Sequence, residues 1–153
     1  MDQREAILEQ IKAICLQVQT DNISILSAVR NRALLTNEKR PGVVLLDGDE
    51  TPQGTTNNGD RFLFRPRLVE MRPELYILLE ERRVNNANIG EDLNALRNAL
   101  SVAITTDATL ATLLGSNGKV VYNGCVTDLK SGSALSGQMR LDFAYRYWFK
   151  PTA

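Results

Sequence analysis

The chain has 153 residues, with 18 basic and 18 acidic side chains and no histidine. A net charge of zero gives no bulk attraction to nucleic acid or to an anionic membrane. The absence of histidine removes the usual general base near neutral pH and the commonest metal ligand, which counts against hydrolases. The length suits one domain, and the sequence predicts neither a signal peptide nor a membrane span.

A helix is predicted near the N-terminus. Asp2 followed by Glu5 has the spacing of a capping box, in which both side chains satisfy free backbone N–H groups. Apolar residues then recur at helical spacing, and the helix is expected to end near Gln19. The predicted apolar stripe consists of Ile7, Leu8, Ile11, Ile14, Cys15 and Val18.

The next part of the chain predicts short strands and loops. Residues 23–31 fit either a strand or a helix, and a strand is favoured. Residues 36–40 predict a loop. Residues 43–46 predict a buried strand that is closed by an acidic turn at residues 47–50. Residues 51–60 are too polar to pack and predict an exposed loop.

Residues 67–81 predict a long strand. Apolar side chains occupy alternate positions, which places them on one face. Pro73 lies within this stretch and has no N–H group to donate to a neighbouring strand. Its position therefore predicts either an edge strand or a bulge.

The most regular helical pattern follows. Asn88 and Glu91 have the spacing of a second capping box, and apolar residues keep helical spacing as far as Ile104. Asp107 is predicted to cap one further short helical turn, which Gly115 ends.

The chain closes with a predicted antiparallel pair of strands. Residues 119–126 predict the first strand, and residues 127–137 are rich in serine and glycine and predict the hairpin connection. Residues 138–150 alternate with period two and hold five of the nine aromatic residues of the chain. The core is therefore expected to form against this last strand.

These elements predict an α+β domain with a mixed or antiparallel sheet of four to five strands. Two amphipathic helices can cover only one face of that sheet, so the other face is left open. Aromatic residues and arginine are enriched at interfaces, which predicts a contact surface there unless loops of the same chain cover Trp148. The residues support these two readings of Trp148 equally. The open face is expected to carry Arg72, Tyr76, Leu78, Arg140, Arg146 and Trp148.

The sharpest catalytic candidate is the pair Asp47 and Asp49. An apolar strand followed by Asp-x-Asp-x-Thr resembles the first motif of haloacid-dehalogenase-type phosphatases, which implies a nucleophile at Asp47, an acid/base at Asp49 and magnesium between them. No βαβ crossover follows, and no later acidic pair completes a metal site, so a plain acidic turn is favoured. We therefore expect no catalytic residues, metal or cofactor, and we expect Cys15 and Cys125 to be buried free thiols.

Four runs carry a more specific pattern. They are Met71-Arg-Pro-Glu-Leu-Tyr-Ile-Leu-Leu-Glu, Asn88-Ile-Gly-Glu-Asp-Leu-Asn-Ala-Leu-Arg, Leu113-Leu-Gly-Ser-Asn-Gly-Lys-Val-Val-Tyr and Leu141-Asp-Phe-Ala-Tyr-Arg-Tyr-Trp-Phe-Lys-Pro. Together they resemble bacteriophage tail terminator proteins, which are small minor tail proteins of long-tailed phages. The resemblance covers nearly the whole chain in element order and is strongest after Arg67.

The resemblance implies a structural virion protein rather than an enzyme. Such proteins form a six-fold ring that stops polymerisation of the tail tube and offers a docking surface to the neck of the filled head. The implied partners are further copies of the chain, the tube protein and a neck protein, and DNA passes through the ring without sequence recognition. The protein would assemble in the host cytoplasm, away from any membrane.

We expect two groups of contact residues in such a ring. Subunit contacts are expected at Arg72, Tyr76, Arg140, Arg146 and Trp148. Contacts to the axial partners are expected at Thr55, Thr56, Asn57, Asn58, Ser131, Gly132 and Ser133.

Two further functions stay open. Another neck component, such as a head-completion or connector-adaptor protein, is disfavoured because those proteins tend to be helical or small barrels. A nucleic-acid binder would use a basic cluster with two aromatic residues nearby, although a solvated strand entry balanced by Glu70 and Glu74 is favoured. That cluster comprises Arg61, Arg65, Arg67 and Arg72, with Phe62 and Phe64.

Overall fold

The computed structural model describes residues 1–32, 35–53, 66–80, 89–127 and 137–150. Within them the chain forms α-helices and a β-sheet, which confirms the predicted α+β class. The helices are α1 (Gln3–Leu16), α2 (Ile89–Thr106) and α3 (Ala108–Leu114). The strands are β1 (Ser27–Arg30), β2 (Gly42–Pro52), β3 (Arg67–Leu78), β4 (Lys119–Thr127) and β5 (Gln138–Phe149).

The five strands form one mixed sheet in the order β1-β2-β3-β5-β4. β1 runs parallel to β2, and the other neighbours are antiparallel. β4 and β5 pair with each other as predicted. The strand favoured within residues 23–31 is confirmed as the shorter β1, and the loop predicted at residues 36–40 contains one 3-10 turn.

Helix α1 begins at the predicted cap. The Asp2 carboxylate accepts hydrogen bonds from the backbone N–H groups of Arg4 and Glu5 at 2.9 and 3.3 Å. The reciprocal half of the predicted capping box is wrong, because the Glu5 side chain binds Arg30 of β1 at 2.6 Å. The helix also ends at Leu16, before the predicted end near residue 19, because the chain turns back on itself there to form a short bridge with residue 24.

The acidic segment after the apolar run of β2 belongs to the strand, so the predicted turn is wrong. The pairing register slips by one residue, and Asp47 and Gly48 together stand opposite Pro73 of β3. A bulge suits this position because Pro73 cannot donate a hydrogen bond to its neighbour. The predicted bulge is therefore confirmed, and the alternative of an edge strand is wrong, since β3 is the central strand.

All three helices pack on one face of the sheet, as predicted for the two longer apolar patterns. The α2 stripe is buried at Ile89, Leu93, Leu96, Leu100 and Ile104. The core-facing side chains of β5 are Met139, Leu141, Phe143, Tyr145 and Tyr147. Both tyrosines, Tyr145 and Tyr147, are among the largest fully buried side chains, which confirms that the core forms against β5.

The start of α3 is fixed by its predicted cap. The Asp107 carboxylate accepts a 2.8 Å hydrogen bond from the N–H of Leu110. Gly115 follows the helix with φ +88°, a backbone conformation that favours glycine. Residues 115–118 then connect the short helix to β4.

Candidate interaction surface

The sheet face opposite the three helices carries the predicted contact residues. Tyr76 and Arg140 are direct cross-strand partners on β3 and β5, and Leu68 is the partner of Trp148. Arg146 stands opposite Glu70, and Arg72 stands opposite Asp49 of β2. The structure therefore brings Arg72, Tyr76, Arg140, Arg146 and Trp148 onto one face of adjacent strands. We call this surface the open face.

A buried carboxylate holds the middle of the open face together. The Glu70 side chain is only 3% exposed and accepts hydrogen bonds from Arg146 Nε at 2.8 Å and Arg72 Nε at 2.7 Å. The hydrogen bond from Arg146 lowers the pKa of Glu70 against the opposing effect of burial, and Arg72 lowers it further. Glu70 is therefore an ionised anchor that fixes two arginines in place.

The sequence-based interpretation that Glu70 balances the basic strand entry is confirmed for Arg72, whose guanidinium lies 2.7 Å from the carboxylate, but the expectation that this charge is solvated is wrong. Its outward position in an alternating strand indicates exposure. The side chain is nevertheless buried, because one of the arginines that cover it lies on β5, 76 residues further along the chain. The one available signal is the pattern Glu-x-Arg at residues 70–72, which places opposite charges on the same side of a strand.

A second polar group lies further along the same two strands. Tyr76 Oη donates a 2.7 Å hydrogen bond to the Glu74 carboxylate, and this bond raises the pKa of Tyr76. Arg140, the cross-strand partner of Tyr76, pairs with Asp142 of its own strand at 3.3 Å. Each charged side chain in this group already has a partner within the chain.

The two ends of the open face are apolar. At one end Trp148 is 38% exposed, which leaves part of the indole accessible. At the other end Leu78 is buried under Leu35, in a small cluster with Val44. The prediction that Leu78 lies uncovered is therefore wrong, because the chain between β1 and β2 folds back over that end.

Asp47 and Asp49 are not brought together into a site. Burial acts to raise the pKa of Asp47, but hydrogen bonds from Arg30 and Asn31 outweigh it and lower that pKa. Arg30 holds Asp47 at 2.9 Å and Glu9 of α1 at 2.7 Å, so this carboxylate belongs to an ion-pair cluster with the helix. Asp49 instead stands opposite Arg72, beyond the bulge.

Asp47 and Asp49, the phosphatase pair that the sequence disfavoured, therefore make separate contacts, one with Arg30 and the other opposite Arg72. No group of three acidic, histidine or cysteine side chains among the described residues is arranged to hold a metal. Cys15 and Cys125 are both free, and burial raises the pKa of Cys15 to about 12. Cys125 is only partly buried, with its sulfur 3.8 Å from Arg97.

Several predicted residues lie outside the described parts of the chain. These are Thr55, Thr56, Asn57, Asn58, Ser131, Gly132 and Ser133 of the expected axial loops, together with Arg61, Phe62, Phe64 and Arg65 of the basic cluster. Of the predicted loop at residues 51–60, the first two residues belong to β2.

No protein-family model matches this chain, and no curated protein matches it. Among the described helices, none is long and apolar enough to cross a membrane.

Proposed function

We propose that this protein is a tail terminator that forms a ring on the end of a bacteriophage tail tube. The ring stops polymerisation of the tube protein and offers a docking surface to the neck of the filled head. The observation that carries the proposal is the open face, which presents an accessible tryptophan among positioned arginines. The resemblance of the sequence to tail terminators supports the same assignment.

The open face supplies the contact between neighbouring subunits of the ring. Arg72, Arg140 and Arg146 are paired within the chain, so their side chains lose little further freedom on contact. Trp148 and Tyr76 add aromatic area, which often dominates the energy of an interface. A head-to-tail contact of this kind generates a closed ring when the rotation between subunits closes.

The axial partners bind other parts of the ring. One ring face copies a tube-subunit interface, and the other face cannot accept a further tube ring. Residues 55–58 and 131–133 contact these partners, and DNA passes through the centre without sequence recognition. A net charge of zero suits a ring that must let DNA pass without retaining it.

Tail length tests the proposal directly. Phage that lack this protein are expected to build overlong tail tubes with no attached heads, as seen by negative-stain electron microscopy. Supplying the wild-type protein is expected to restore normal tail length and head joining. Tails of normal length that fail to join heads would instead indicate another neck component. Normal tails on normal heads would contradict both assignments.

The contact residues are tested separately in purified protein. Trp148→Ala is expected to reduce ring assembly measured by light scattering, because it removes the exposed aromatic group of the open face. Val102→Ala is the matched control, since Val102 is 54% exposed on α2, away from that face. Equal assembly of the two variants would remove Trp148 from the ring contact.

Deletion of residues 55–58 tests the axial loop. Particles that carry the deletion are expected to show altered tail length or failed head joining. Normal length together with normal joining would remove this loop from the axial contacts while leaving the ring itself in place.

A further inference from the structure

Strand β4 forms one edge of the sheet. It pairs with β5 on one side, and no other strand of the described residues pairs with its outer side. Two of its side chains are exposed large apolar residues, Tyr122 at 40% and Val126 at 52%. An edge of nine residues with exposed apolar side chains is a template for a further strand.

The hydrogen-bonding direction of β5 shows which backbone groups of β4 point outward. Leu79 donates a 3.0 Å hydrogen bond to the carbonyl oxygen of Gly137, and this pair continues the register between β3 and β5. Because the bonding direction alternates along a strand, odd-numbered residues of β5 bond to β3 and even-numbered ones bond to β4. The residues of β4 that are not opposite even-numbered residues of β5 direct their backbone groups away from the sheet. They are Val120, Tyr122, Cys125 and Thr127.

A bulge makes these outward positions symmetric. The register with β5 shifts by one residue between Tyr122 and Gly124, so Asn123 is the extra residue. The outward residues are therefore spaced by two, by three and again by two positions, a series that reads the same from either end. A regular strand, whose outward groups recur at every second residue, falls out of step at the bulge. A second copy of β4 that runs in the opposite direction carries the same bulge and stays in step.

We propose that β4 pairs with β4 of a second copy of this chain, antiparallel, about a two-fold axis that passes between residues 123 and 124. The outward residues then pair as Val120 with Thr127 and Tyr122 with Cys125, one from each copy. The two sheets become one continuous sheet, with about eight backbone hydrogen bonds between the copies. This number lies within the range of about ten, give or take five, that is typical of protein–protein interfaces.

The side chains of the two edges match in this register. Residues that face each other across antiparallel strands point to the same side of the sheet. On the open face, Val121 of one copy lies opposite Val126 of the other, and on the helix face Tyr122 lies opposite Cys125. Arg97 of α2 is 3.8 Å from the sulfur of Cys125, so its guanidinium is brought near the Tyr122 ring of the second copy, a favourable cation–π arrangement. The second copy thus covers both exposed apolar side chains of β4.

This dimer goes beyond the proposed ring and rests on different residues. The ring contact lies on the open face of β3 and β5, whereas the dimer uses the outer edge of β4. A paired β4 no longer offers its backbone groups to other chains, which protects the protein from uncontrolled strand pairing before it assembles. The dimer is measured on purified protein and the ring function on tail length, so one can fail without the other.

Sedimentation equilibrium of the purified full chain tests the dimer. The wild type is expected to reach twice its 17.0 kDa mass as concentration rises. Val126→Lys is expected to weaken dimerisation by about tenfold or more, because it places a charge opposite Val121 of the other copy, twice per dimer. Val102→Lys is the matched control, since Val102 is 54% exposed on α2 and not on β4, and it is expected to leave dimerisation unchanged.

Circular dichroism checks that both lysine variants keep the fold. A wild type that stays monomeric would leave the edge to an unrelated strand and overturns the proposal. A dimer that Val126→Lys leaves intact, or that Val102→Lys weakens equally, overturns it as well.

Disulfide formation tests the register. Val121→Cys and Val126→Cys are combined in a chain that also carries Cys125→Ser, so that the two new thiols face each other twice in the dimer. The α-carbons of such a pair are about 4.5 Å apart, within the range of about 4.4–6.8 Å that a disulfide bridges. The same two positions within one chain are roughly 15 Å apart, too far for a bridge. Air oxidation is therefore expected to give a covalent dimer on a non-reducing gel.

The control for the register combines Lys119→Cys with Val126→Cys in the same Cys125→Ser chain. Position 119 is displaced by two residues from the position that faces residue 126, which separates the α-carbons by about 8 Å, beyond the reach of a disulfide. This control and each single substitution are expected to stay uncrosslinked. No covalent dimer from positions 121 and 126, or as much from positions 119 and 126, overturns the two-fold register.

Discussion

Arg146 on β5 donates a 2.8 Å hydrogen bond to the buried carboxylate of Glu70 on β3, across the middle of the open face. Arg72 binds the same carboxylate from the other side at 2.7 Å. The charges of this surface are thus held in fixed positions by a group that is itself inaccessible. A surface prepared in this way is suited to contact with another protein, because fewer side chains have to be ordered when the contact forms.

Glu70→Gln is expected to lower the free energy of unfolding by about 1–3 kcal/mol, the usual cost of losing hydrogen bonds to a buried charged group. The measurement is the urea denaturation midpoint near neutral pH. Arg72→Ala is the control, because the Arg72 side chain is 65% exposed and an exposed pair contributes under about 1 kcal/mol. A larger loss in Arg72→Ala than in Glu70→Gln would contradict the role of Glu70 as the anchor.

The contribution of the Glu70 carboxylate to the free energy of unfolding is expected to vanish in acid. Its pKa in the folded protein lies below the ordinary value of 4.5, because the folded state favours the carboxylate. The stabilisation is therefore complete above pH 4.5 and is lost as the pH falls through the lower folded pKa. The difference in unfolding free energy between wild type and Glu70→Gln should narrow below pH 4.5, and a difference that widens there would contradict this sign.

Gly48→Ala is expected to be more destabilising than Gly115→Ala. Both glycines have positive φ values, +65° and +88°, so alanine is strained at each and costs about 1–3 kcal/mol. A Cβ atom at Gly48 would also overlap the carbonyl oxygen of Arg72, whereas a Cβ at Gly115 has open space around it. We expect an additional loss of about 1 kcal/mol or more at Gly48 from this overlap, measured by thermal or urea unfolding. Equal losses would mean that the bulge opposite Pro73 relaxes freely.

Arg30→Met is expected to lower the free energy of unfolding by about 2–4 kcal/mol, since it leaves carboxylates of α1 and β2 facing each other without their cation. Arg30 is 14% exposed at its side chain and binds Glu5, Glu9 and Asp47. The loss should be partly relieved in acid, where protonation removes the repulsion between these carboxylates.

The matched control for Arg30 is Lys12→Met. Among the described residues Lys12 pairs with Glu9, at 3.9 Å and with both side chains partly exposed, and its removal should cost under about 0.5 kcal/mol. If the two substitutions have similar effects in the same urea titration, the ion-pair cluster around Arg30 contributes little to the fold.

On the open face, the sequence pattern predicts the direction of side chains but not their burial. The period-two alternation of β3 and β5 correctly places Arg72, Tyr76, Arg140, Arg146 and Trp148 on one face. Alternation indicates which way a side chain points, but it does not indicate what lies on top of it. Glu70 and Leu78 point the same way, yet they are buried, because covering groups come from elsewhere in the chain.

The acidic segment of β2 shows a second limit. Asp47, Gly48 and Asp49 have the composition of a turn, and in isolation their preference for turns is real. The pairing with Pro73 overrides it, because β3 offers a position without an N–H donor and a bulge accommodates that gap. Whether such a segment turns or continues depends on its neighbour, which the local sequence does not contain.

The sequence by itself determined the helices, their capping by Asp2 and Asp107, and the two long strands, because helical spacing, caps and alternation are properties of consecutive residues. The tertiary structure alone decided that β3 is central, that Glu70 is an enclosed anchor and that Asp47 binds Arg30 rather than sharing a site with Asp49. Those outcomes depend on groups brought together from distant parts of the chain, and burial and pairing are set only when those parts meet.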